Sequence, residues 1–561
     1  MSIDIPECNY KPVIIIGGGP CGLAIASRLC EATPGAIFSN GEHSRFHWLK
    51  QRGGGSNVTK SKPRAIGFEG KFDPDDILVL DKTGDSFMCQ WHNQFDAVKI
   101  PHLRSPMFFH PDPLDIDSLV AFAHSQGREK ELMEIHGVVG KEISKHHQKK
   151  TRMKRKLSNS FAGSGLVEVD RRDRTDYYRP GSKLFEDFCS TLVTRYGLEN
   201  VVQKATIMNI RYTLINKIGA DKVESKMGFA VETSEGETFG CEYCIGAIGL
   251  SGKINYPING LGDHFPYGSC HTTHLFQNQI QLPPEKTMER IQEGKHTEMA
   301  IVGGGLTSAQ LTELVLSKGV DKVHLIIRGE IKIKHFDFHL EWVSKYQNYM
   351  KSSFWMKDSD LERFQMIESA REGGSMNPQY HKIVMNLVKS GRVVLHKFTE
   401  MVSNDWDQGM QKWKSIVLKS KITGELNELC DVDYICFATG TSPDITNQPM
   451  MKTLLDEYPI ETINGVPCLT DDLQWNSEVP FFMLGRYAML RTGPSSANLD
   501  GGRLGAERIG WKVQDMARKS QLKEKHSNPE TLLRCTGGRC NWYSVLGETN
   551  EFDGQQKIPA N

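Results

Sequence analysis

The sequence lacks the features that mark several broad classes of protein. No apolar run reaches the roughly 18 residues that a membrane-spanning helix requires. The N-terminus, MSIDIPECNYKPVIIIGGGP, has no basic segment followed by an apolar core and a cleavage site, so no secretion signal is expected. The thirteen cysteines are odd in number and scattered, which fits a reduced cytoplasmic protein better than a disulfide-rich one.

An excess of charge is also lacking. Lysine plus arginine and aspartate plus glutamate number 68 each, so the balance predicts neither nucleic acid nor an anionic membrane as partner. The local exception is the basic run KHHQKKTRMKRK, residues 145–156, inside an insertion expected at about residues 125–175. A solvated loop is the usual explanation of such a run, and a nuclear localisation signal is the alternative.

What the sequence does contain is a block that occurs twice. In each copy an apolar strand enters a glycine-rich turn and a helix, a second strand follows, and a later hairpin leads into a turn of small residues. The first copy has strands at 13–16 and 36–38, a hairpin around 234–236 and the turn GAIG. The second has strands at 299–302 and 323–327, a hairpin around 423–425 and the turn FATG.

Strands that alternate with helices predict parallel sheets covered on both faces. A chain of 561 residues is also too long for one core. The sequence therefore predicts an α/β protein with two Rossmann-type dinucleotide-binding domains, the second inserted into the first. The first would comprise residues 1–255 and 430–520 and the second residues 256–429, with a polar tail at 521–561.

The first glycine motif consists of Gly17, Gly19 and Gly22, placed between a strand and a helix. In this pattern the first glycine permits a tight turn, the second lets pyrophosphate approach the backbone, and the third lets the helix pack on the strand. The helix N-terminus adds free N–H groups for the phosphates. An acid about 20 residues further on should bind ribose hydroxyls, and Glu42 is the candidate.

The second motif has Gly303 and Gly305, with Ser308 in place of the third glycine. No acid comes directly after its second strand. Instead Arg328 comes directly after that strand, with Lys332 and Lys334 nearby. An acid would bind a 2′-hydroxyl and a cation would pair with a 2′-phosphate, so the sequence favours NADPH over NADH.

With the late segment FFMLGRYAMLRTGPSSANLDGGRLGAERI, residues 481–509, these motifs resemble the class B flavin-dependent monooxygenases. The lysine/ornithine N-hydroxylase and flavin-containing monooxygenase branches are the most similar. The resemblance implies FAD on the first motif and NADPH on the second, with the NADPH domain inserted into the FAD domain. It further implies a cofactor-binding role for four residues outside the motifs, namely Trp91, Gly485, Asn498 and Leu499.

The family's histidine fingerprint is altered here to FPYGSCHTTHLF, residues 265–276. His271 and His274 are therefore both candidates for the family histidine, and no other catalytic side chain is predicted. His92, His102 and His110 lack the tight spacing of metal ligands, so no metal is expected.

The resemblance implies an NADPH-consuming monooxygenase that oxidises a small-molecule substrate with O2 through a C4a-(hydro)peroxyflavin. Two alternatives remain open. One is an NADPH-dependent flavin reductase or dehydrogenase without oxygen insertion. The other is a non-catalytic FAD-binding regulatory protein similar to the oxidative-stress-induced growth inhibitors. The motifs identify neither the substrate nor the oligomeric state.

Cys241 and Cys244 have the CxxC spacing of dithiol oxidoreductases. On a single strand, a three-residue offset points two side chains to opposite faces. We therefore predict that these thiols do not form a working disulfide.

Overall fold

A computed structural model describes residues 2–32, 34–36, 72–136, 138, 176–220, 222–249, 252–344 and 346–524. Glu42, the basic run at 145–156 and the tail beyond residue 524 lie outside the described residues. Met1–Gly510 form one compact body, and Trp511–Asn561 form another. Among the described helices, none combines the length and the hydropathy needed to span a bilayer.

Strands occur along most of the described chain. In chain order they are β1 (Ile3–Pro6), β2 (Val13–Ile16), β3 (Ile77–Asp81), β4 (Leu132–Glu134), β5 (Tyr178–Pro180), β6 (Val202–Lys204), β7 (Ile207–Ile218), β8 (Val223–Thr233), β9 (Thr238–Cys241), β10 (Tyr243–Gly246), β11 (Lys253–Ile254), β12 (Ser269–His271), β13 (Glu298–Val302), β14 (Lys322–Ile326), β15 (Val393–His396), β16 (Thr399–Asp407), β17 (Lys412–Ser420), β18 (Leu426–Val432), β19 (Tyr434–Phe437), β20 (Thr441–Ser442), β21 (Thr462–Ile463), β22 (Val466–Pro467) and β23 (Phe481–Met483).

Helices separate many of these strands. They are α1 (Pro20–Cys30), α2 (Cys89–Val98), α3 (Ser118–Ser125), α4 (Ser182–Tyr196), α5 (Thr272–Phe276), α6 (Glu285–Gln292), α7 (Leu306–Ser317), α8 (Gln347–Trp355), α9 (Asp360–Arg371), α10 (Pro378–Lys389), α11 (Lys452–Glu457), α12 (Met489–Thr492) and α13 (Leu499–Glu524).

The first parallel sheet has the strand order β23-β10-β2-β3-β6. Its central strand, β2, is apolar and buried along its whole length. The strand that pairs with β2 on the side away from β10 is Ile77–Asp81, not residues 36–38 as predicted; Ala36 lies outside any strand and residues 37–38 lie outside the described residues. The prediction was wrong because the strand that pairs with β2 comes after a long intervening segment, whose length no local rule constrains.

A mixed sheet, β1-β7-β8-β9, in which only the β1–β7 pairing is parallel, contains the first predicted hairpin as β8 and β9. The chain turns at Glu242 between β9 and β10, so Cys241 and Cys244 lie on different strands. Burial raises the pKa of Cys241, and a hydrogen bond with the Cys244 thiol raises it further. The prediction that the two thiols face opposite ways was therefore wrong, and both are buried, free thiols in this structure.

The second parallel sheet has the strand order β12-β19-β13-β14-β15. Beside it, β16, β17 and β18 form an antiparallel sheet, in which β17 and β18 are the second predicted hairpin. Because β19 belongs to this parallel sheet, the second unit extends past residue 429, where its end was predicted. Both sheets have a central strand followed by a glycine turn and a helix, so the prediction of two Rossmann-type units is confirmed. The second unit is inserted between β10 and β23 of the first.

A further hydrophobic core joins the two units. Phe336, Trp342 and Phe354, from the segment between β14 and β15, pack with Phe109 and Leu490 of the first unit. Burial of each such side chain contributes about 1.5–3 kcal/mol. This core therefore fixes the position of the two glycine turns relative to each other within the compact body Met1–Gly510.

Candidate functional site

The first glycine turn connects β2 to α1. Gly17 has φ +109°, and a Cβ atom there would lie 2.4 Å from the Ala247 carbonyl oxygen. A Cβ on Gly22 would lie 2.0 Å from the Gly17 carbonyl oxygen. At Gly19, by contrast, no heavy atom lies within 4 Å of the Cβ position. The turn thus has two glycines that packing requires and one whose backbone faces open space, as phosphate approach requires.

An acid lies at the end of the second strand, and it is Asp81. The Gly18 N–H donates to its Oδ2 atom at 2.7 Å, and the Thr83 N–H donates to its Oδ1 atom at 2.7 Å. Sequence reasoning missed Asp81 because the spacing rule was applied to the wrong strand. The signal that could have found it is the apolar run ILVL that it ends. Glu42 lies outside the described residues and stays a prediction.

The late segment passes directly over this turn. Gly485 follows β23 with φ +72°, and a Cβ atom there would lie 3.6 Å from the Cys21 sulfur, in the first turn of α1 directly after the glycine turn. The Ser496 hydroxyl donates to the Gly485 carbonyl oxygen. The structure therefore brings Gly485 beside the first glycine turn, although 464 positions of sequence numbering separate it from Cys21 (485 − 21).

Asn498 and Leu499, at the start of α13, face the segment between β14 and β15. The Asn498 side-chain amide donates to Asp337 Oδ1 at 2.8 Å, and Leu499 packs against the core that joins the two units. Asp337 also pairs with Arg371 at 2.9 Å. Burial alone would raise the pKa of Asp337, but Arg371 and Arg104 outweigh it and hold the pKa below its usual value.

Trp91 lies in α2, next to the same glycine turn. The Met88 N–H, just before α2, donates to the Gly18 carbonyl oxygen at 2.8 Å. The Trp91 ring stacks on Phe95 with 3.9 Å between ring centroids. Trp91 is thus held in a helix whose first turn contacts the first glycine motif.

The second glycine turn connects β13 to α7. Gly303 has φ +150°, and a Cβ atom there would lie 2.5 Å from the Ala438 carbonyl oxygen. The buried Ser308 hydroxyl donates to the Gly305 carbonyl oxygen at 2.7 Å, so this serine stabilises the turn from within. A Cβ on Gly374 would lie 3.2 Å from the Gly305 nitrogen. A side chain at Gly374 would therefore fill the space next to the Gly305 backbone.

Arg104 holds the Gly374 segment in place. Its guanidinium donates to the Lys334 carbonyl oxygen and the Ser375 hydroxyl oxygen, both at 2.9 Å. Burial lowers the pKa of Arg104 to about 10. Neither Arg104 nor Gly374 was identified from the sequence, because only packing brings them to the glycine turn.

The three predicted cations at this turn have different surroundings. Lys334 is nearly buried and pairs with Glu372 at 2.6 Å, and the Lys332 ammonium donates to the Glu372 carbonyl oxygen at 2.6 Å. Arg328 is exposed and has no ion pair or hydrogen bond with any described residue. The Ile327 side chain lies 2.9 Å from the Cβ position of Gly304, so Arg328 follows a residue that contacts the turn.

His271 and His274 form a reciprocal cap at the start of α5. The Thr273 N–H donates to His271 Nδ1 at 3.2 Å, and the His271 N–H donates to His274 Nδ1 at 3.1 Å. Burial, together with His274, lowers the pKa of His271 to about 4, and burial lowers the pKa of His274. Both rings are therefore neutral near pH 7. Within the described ranges, no group of three or more His, Cys, Asp or Glu residues is arranged to hold a metal ion.

No protein-family model and no curated protein sequence matches the chain. Solved structures do match it. An ornithine hydroxylase from Pseudomonas aeruginosa is 14% identical with a TM-score of 0.56, over 90% of this chain and 99% of its own. The ornithine N-hydroxylase of Kutzneria sp. 744, solved with reduced FAD, NADP+ and L-ornithine, is 14% identical with a TM-score of 0.57, over 91% and 100%.

An L-lysine 6-monooxygenase from Pseudomonas syringae is also 14% identical, with a TM-score of 0.54 over 90% of this chain and 99% of its own. At this level of identity the similarity establishes the fold and leaves the reaction open. The predicted resemblance to the class B flavin monooxygenases is confirmed in that sense: this chain has the two-unit fold of the ornithine and lysine N-hydroxylases.

Proposed function

We propose that the chain is an FAD- and NADPH-dependent monooxygenase that oxidises a small molecule with O2. The observation that carries the proposal is the pair of glycine turns at the carboxyl ends of two parallel sheets. In each turn a Cβ on the first glycine would strike a carbonyl oxygen. The Cβ position of Gly19 is open, and that of Gly305 makes only an ordinary contact, 3.6 Å from the Gly374 Cα atom. Two such turns, one in each Rossmann-type unit, fit two dinucleotides.

Four features of the first unit would hold FAD. The turn at Gly17, Gly19 and Gly22 and the N-terminus of α1 would bind the pyrophosphate, and Asp81 would face the ribose. Gly485 would lie on the flavin side, because it contacts the same turn. Bound FAD would accept hydride from NADPH and supply the oxygen chemistry.

The second unit would hold NADPH. Gly303, Gly305 and the N-terminus of α7 would bind the pyrophosphate, with Ser308 keeping the turn in shape. Arg328 would pair with the 2′-phosphate. The solved relative that contains reduced FAD, NADP+ and L-ornithine supports this pairing of cofactors on the same fold.

The chain's own contribution would be positioning and the exclusion of water. The aromatic core around Phe336 and Phe109 packs the two Rossmann-type units together and so keeps the two turns in a fixed relation. Exclusion of water from the site would favour oxygen transfer over release of hydrogen peroxide.

The first experiment tests FAD binding. Gly19→Ala places a methyl group where the pyrophosphate must approach, so the flavin absorbance of the purified protein should be lost. Gly329→Ala is the matched control, because a Cβ atom at Gly329 also meets no heavy atom within 4 Å but lies in the other unit. Wild-type protein that stays colourless after reconstitution with FAD would overturn the proposal.

The second experiment separates the monooxygenase from the alternatives. NADPH should bleach the flavin under nitrogen, and addition of O2 with a panel of amines, ketones and sulfides should give an oxygenated product. Complete conversion of the O2 to hydrogen peroxide with every compound would identify a reductase or oxidase instead. A flavin that NADPH cannot reduce even without oxygen would identify a non-catalytic regulatory protein.

A further inference from the structure

Arg486 connects the two Rossmann-type units and has no acidic partner among the described residues. It follows Gly485, just after the carboxyl end of β23. Its guanidinium donates to the Thr441 hydroxyl oxygen at 3.1 Å and to the Thr441 carbonyl oxygen at 2.6 Å. These bonds use two of its five N–H groups. Its Nε atom makes no hydrogen bond within the described part of the chain and is accessible to solvent, so this edge of the guanidinium is open to a ligand.

The charged side chains around Arg486 are mostly cations. Burial lowers the pKa of Arg486 to about 10, and the nearby positive charge of Arg371 contributes to the shift. Arg371 pairs with Asp337 at 2.9 Å, and Arg104 interacts with the same carboxylate. Three guanidinium groups thus lie in this region with one carboxylate, which leaves Arg486 uncompensated. A partly buried charge without a counter-ion is costly to a folded protein and is typical of a functional site.

The strand order of the first sheet indicates which part of FAD would lie near Arg486. β3, which ends at Asp81, is on one side of β2, and β10 and β23 are on the other. A dinucleotide at such a switch point extends to both sides of it. Asp81 is proposed to face the adenosine ribose, so the flavin half would extend over β10 and β23. Arg486, after β23, would therefore be next to the flavin half.

The second sheet leads to the same place. β14 lies on one side of β13, and β19 lies on the other. Arg328, after β14, is proposed to bind the 2′-phosphate of the adenosine half, so the nicotinamide half would lie over β19. Thr441, which binds Arg486, comes shortly after β19. Arg486 therefore lies where the reactive halves of the two cofactors would meet, and the substrate has to reach the same point.

We infer that Arg486 binds the carboxylate of an anionic substrate at this junction. The inference rests on the proposed function and specifies the charge of the substrate. The cofactor phosphates would not compensate Arg486, because they are expected at the N-termini of α1 and α7 and at Arg328. A guanidinium matches a planar carboxylate with two parallel N–H···O bonds. The same positive charges would repel a cationic amine, so Arg486 selects substrates by charge.

Three probes of the same shape and different charge test this inference. Acetate is an anion, acetamide is neutral and acetamidinium is a cation. Each would be titrated into the full-length, FAD-loaded protein at constant ionic strength, and a change in the flavin absorbance would report binding next to the flavin. Wild-type protein should bind acetate, bind acetamide at least about tenfold more weakly, and show no change with acetamidinium.

Variants separate recognition of charge from a role in folding. Arg486→Gln keeps a donor for Thr441 but removes the charge, so it should bind acetate about tenfold to a hundredfold more weakly. Arg486→Lys keeps the charge without the planar fork, and should bind acetate more weakly than wild type does but still better than acetamide. Arg211→Gln, which removes an arginine of β7 that pairs with Glu457, is the control and should bind acetate as wild type does.

The FAD content and the melting temperature of each variant establish that it is folded, and if Arg486→Gln does not fold, the lysine variant decides. If wild-type protein takes up no FAD, the proposed function and the inference both fail. If FAD binds but acetate leaves the flavin spectrum unchanged, or acetate and acetamide bind equally, only the inference fails. Undiminished acetate binding by the deciding variant also contradicts it, because the anion would then bind elsewhere.

Discussion

At the scale of single residues, local contacts determine which of several candidate cations is available to a ligand. Lys334 is held by Glu372, and Lys332 donates to a backbone carbonyl of the same residue. Arg328 has no such partner among the described residues and follows a residue that contacts the second glycine turn. Arg328 is therefore the side chain that we expect to distinguish NADPH from NADH.

The first prediction concerns this choice. Arg328→Ala should weaken NADPH binding by about 1.5–3 kcal/mol, the contribution of a hydrogen bond to a charged group, and should leave NADH binding unchanged. Lys332→Ala, which removes an exposed cation from the same loop, is the matched control and should alter neither. Binding of both dinucleotides, measured by calorimetry, tests this. Equal loss of NADPH and NADH binding in Arg328→Ala would contradict it.

At the scale of secondary-structure elements, buried polar groups connect strands and helices that are distant in sequence. Asp433, between β18 and β19, is fully buried and pairs with Arg290 of α6 at 2.5 Å and with Lys412 of β17 at 3.1 Å. It also accepts the Glu298 N–H at the start of β13 at 2.8 Å. One carboxylate therefore connects three elements of the second unit.

The second prediction is that Asp433→Asn lowers the free energy of unfolding by about 3–5 kcal/mol, because it leaves two half-buried cations without their anion. Asp431→Asn is the same substitution two residues earlier, at an exposed position with φ +57° that asparagine tolerates. It should change stability by less than about 0.5 kcal/mol. Urea unfolding of both variants provides the measurement, and similar losses in the two would refute the role of Asp433.

A chain of three side chains links β13, β14 and β15. The His324 ring lies 2.7 Å from Glu298 on one side and 3.1 Å from His396 on the other. Burial and the neighbouring His324 lower the pKa of His396 to about 4. Burial alone would raise the pKa of Glu298, but hydrogen bonds from His324, His296 and Lys322 outweigh it and lower this pKa to about 2.

The third prediction is a dependence of stability on pH. The unfolded chain takes up a proton at His396 below about pH 6.5, whereas the folded protein resists it down to about pH 4. Stability should therefore fall as the pH decreases from about 6.5 to 4. Glu298 should contribute a further loss below its unfolded pKa of about 4.3. Urea unfolding at a series of pH values should show a shallower slope for His396→Gln, and an unchanged slope would count against the prediction.

At the scale of the whole molecule, the core between the two units sets the distance between the glycine turns. Phe336 is almost fully buried and lies 6.1 Å from Phe109 of the first unit, measured between ring centroids. Phe336 belongs to the inserted unit, in the segment between β14 and β15. Packing at this point therefore couples the stability of the two units.

The fourth prediction is that Phe336→Ala destabilises the protein by about 3–5 kcal/mol, because the cavity would lie in a closely packed core. Tyr349→Ala, which removes an exposed ring from the same inserted segment, should change stability by less than about 0.5 kcal/mol. Denaturant unfolding would compare them. If the units are coupled as the packing indicates, loss of Phe336 should also loosen FAD, which flavin fluorescence would report.

Short-range chemistry was sufficient to predict much of the fold. The turns at Gly17 and Gly303 and the hairpins before GAIG and FATG depend on residues only a few positions apart. Their backbone geometry is set by the need for positive φ, by hydrophobic alternation and by turn residues. The two Rossmann-type units could therefore be predicted from the sequence alone.

Long-range packing decided the rest. The pairing of β3 with β2 crosses a segment whose length no local rule constrains, which is why Asp81 was missed. The contact of Gly374 with Gly305 and the ion pair of Lys334 with Glu372 each depend on chain segments far apart in sequence. Local patterns determine which elements form and tertiary packing determines which side chains meet, because a buried polar group takes its partner from whatever segment the fold brings near it.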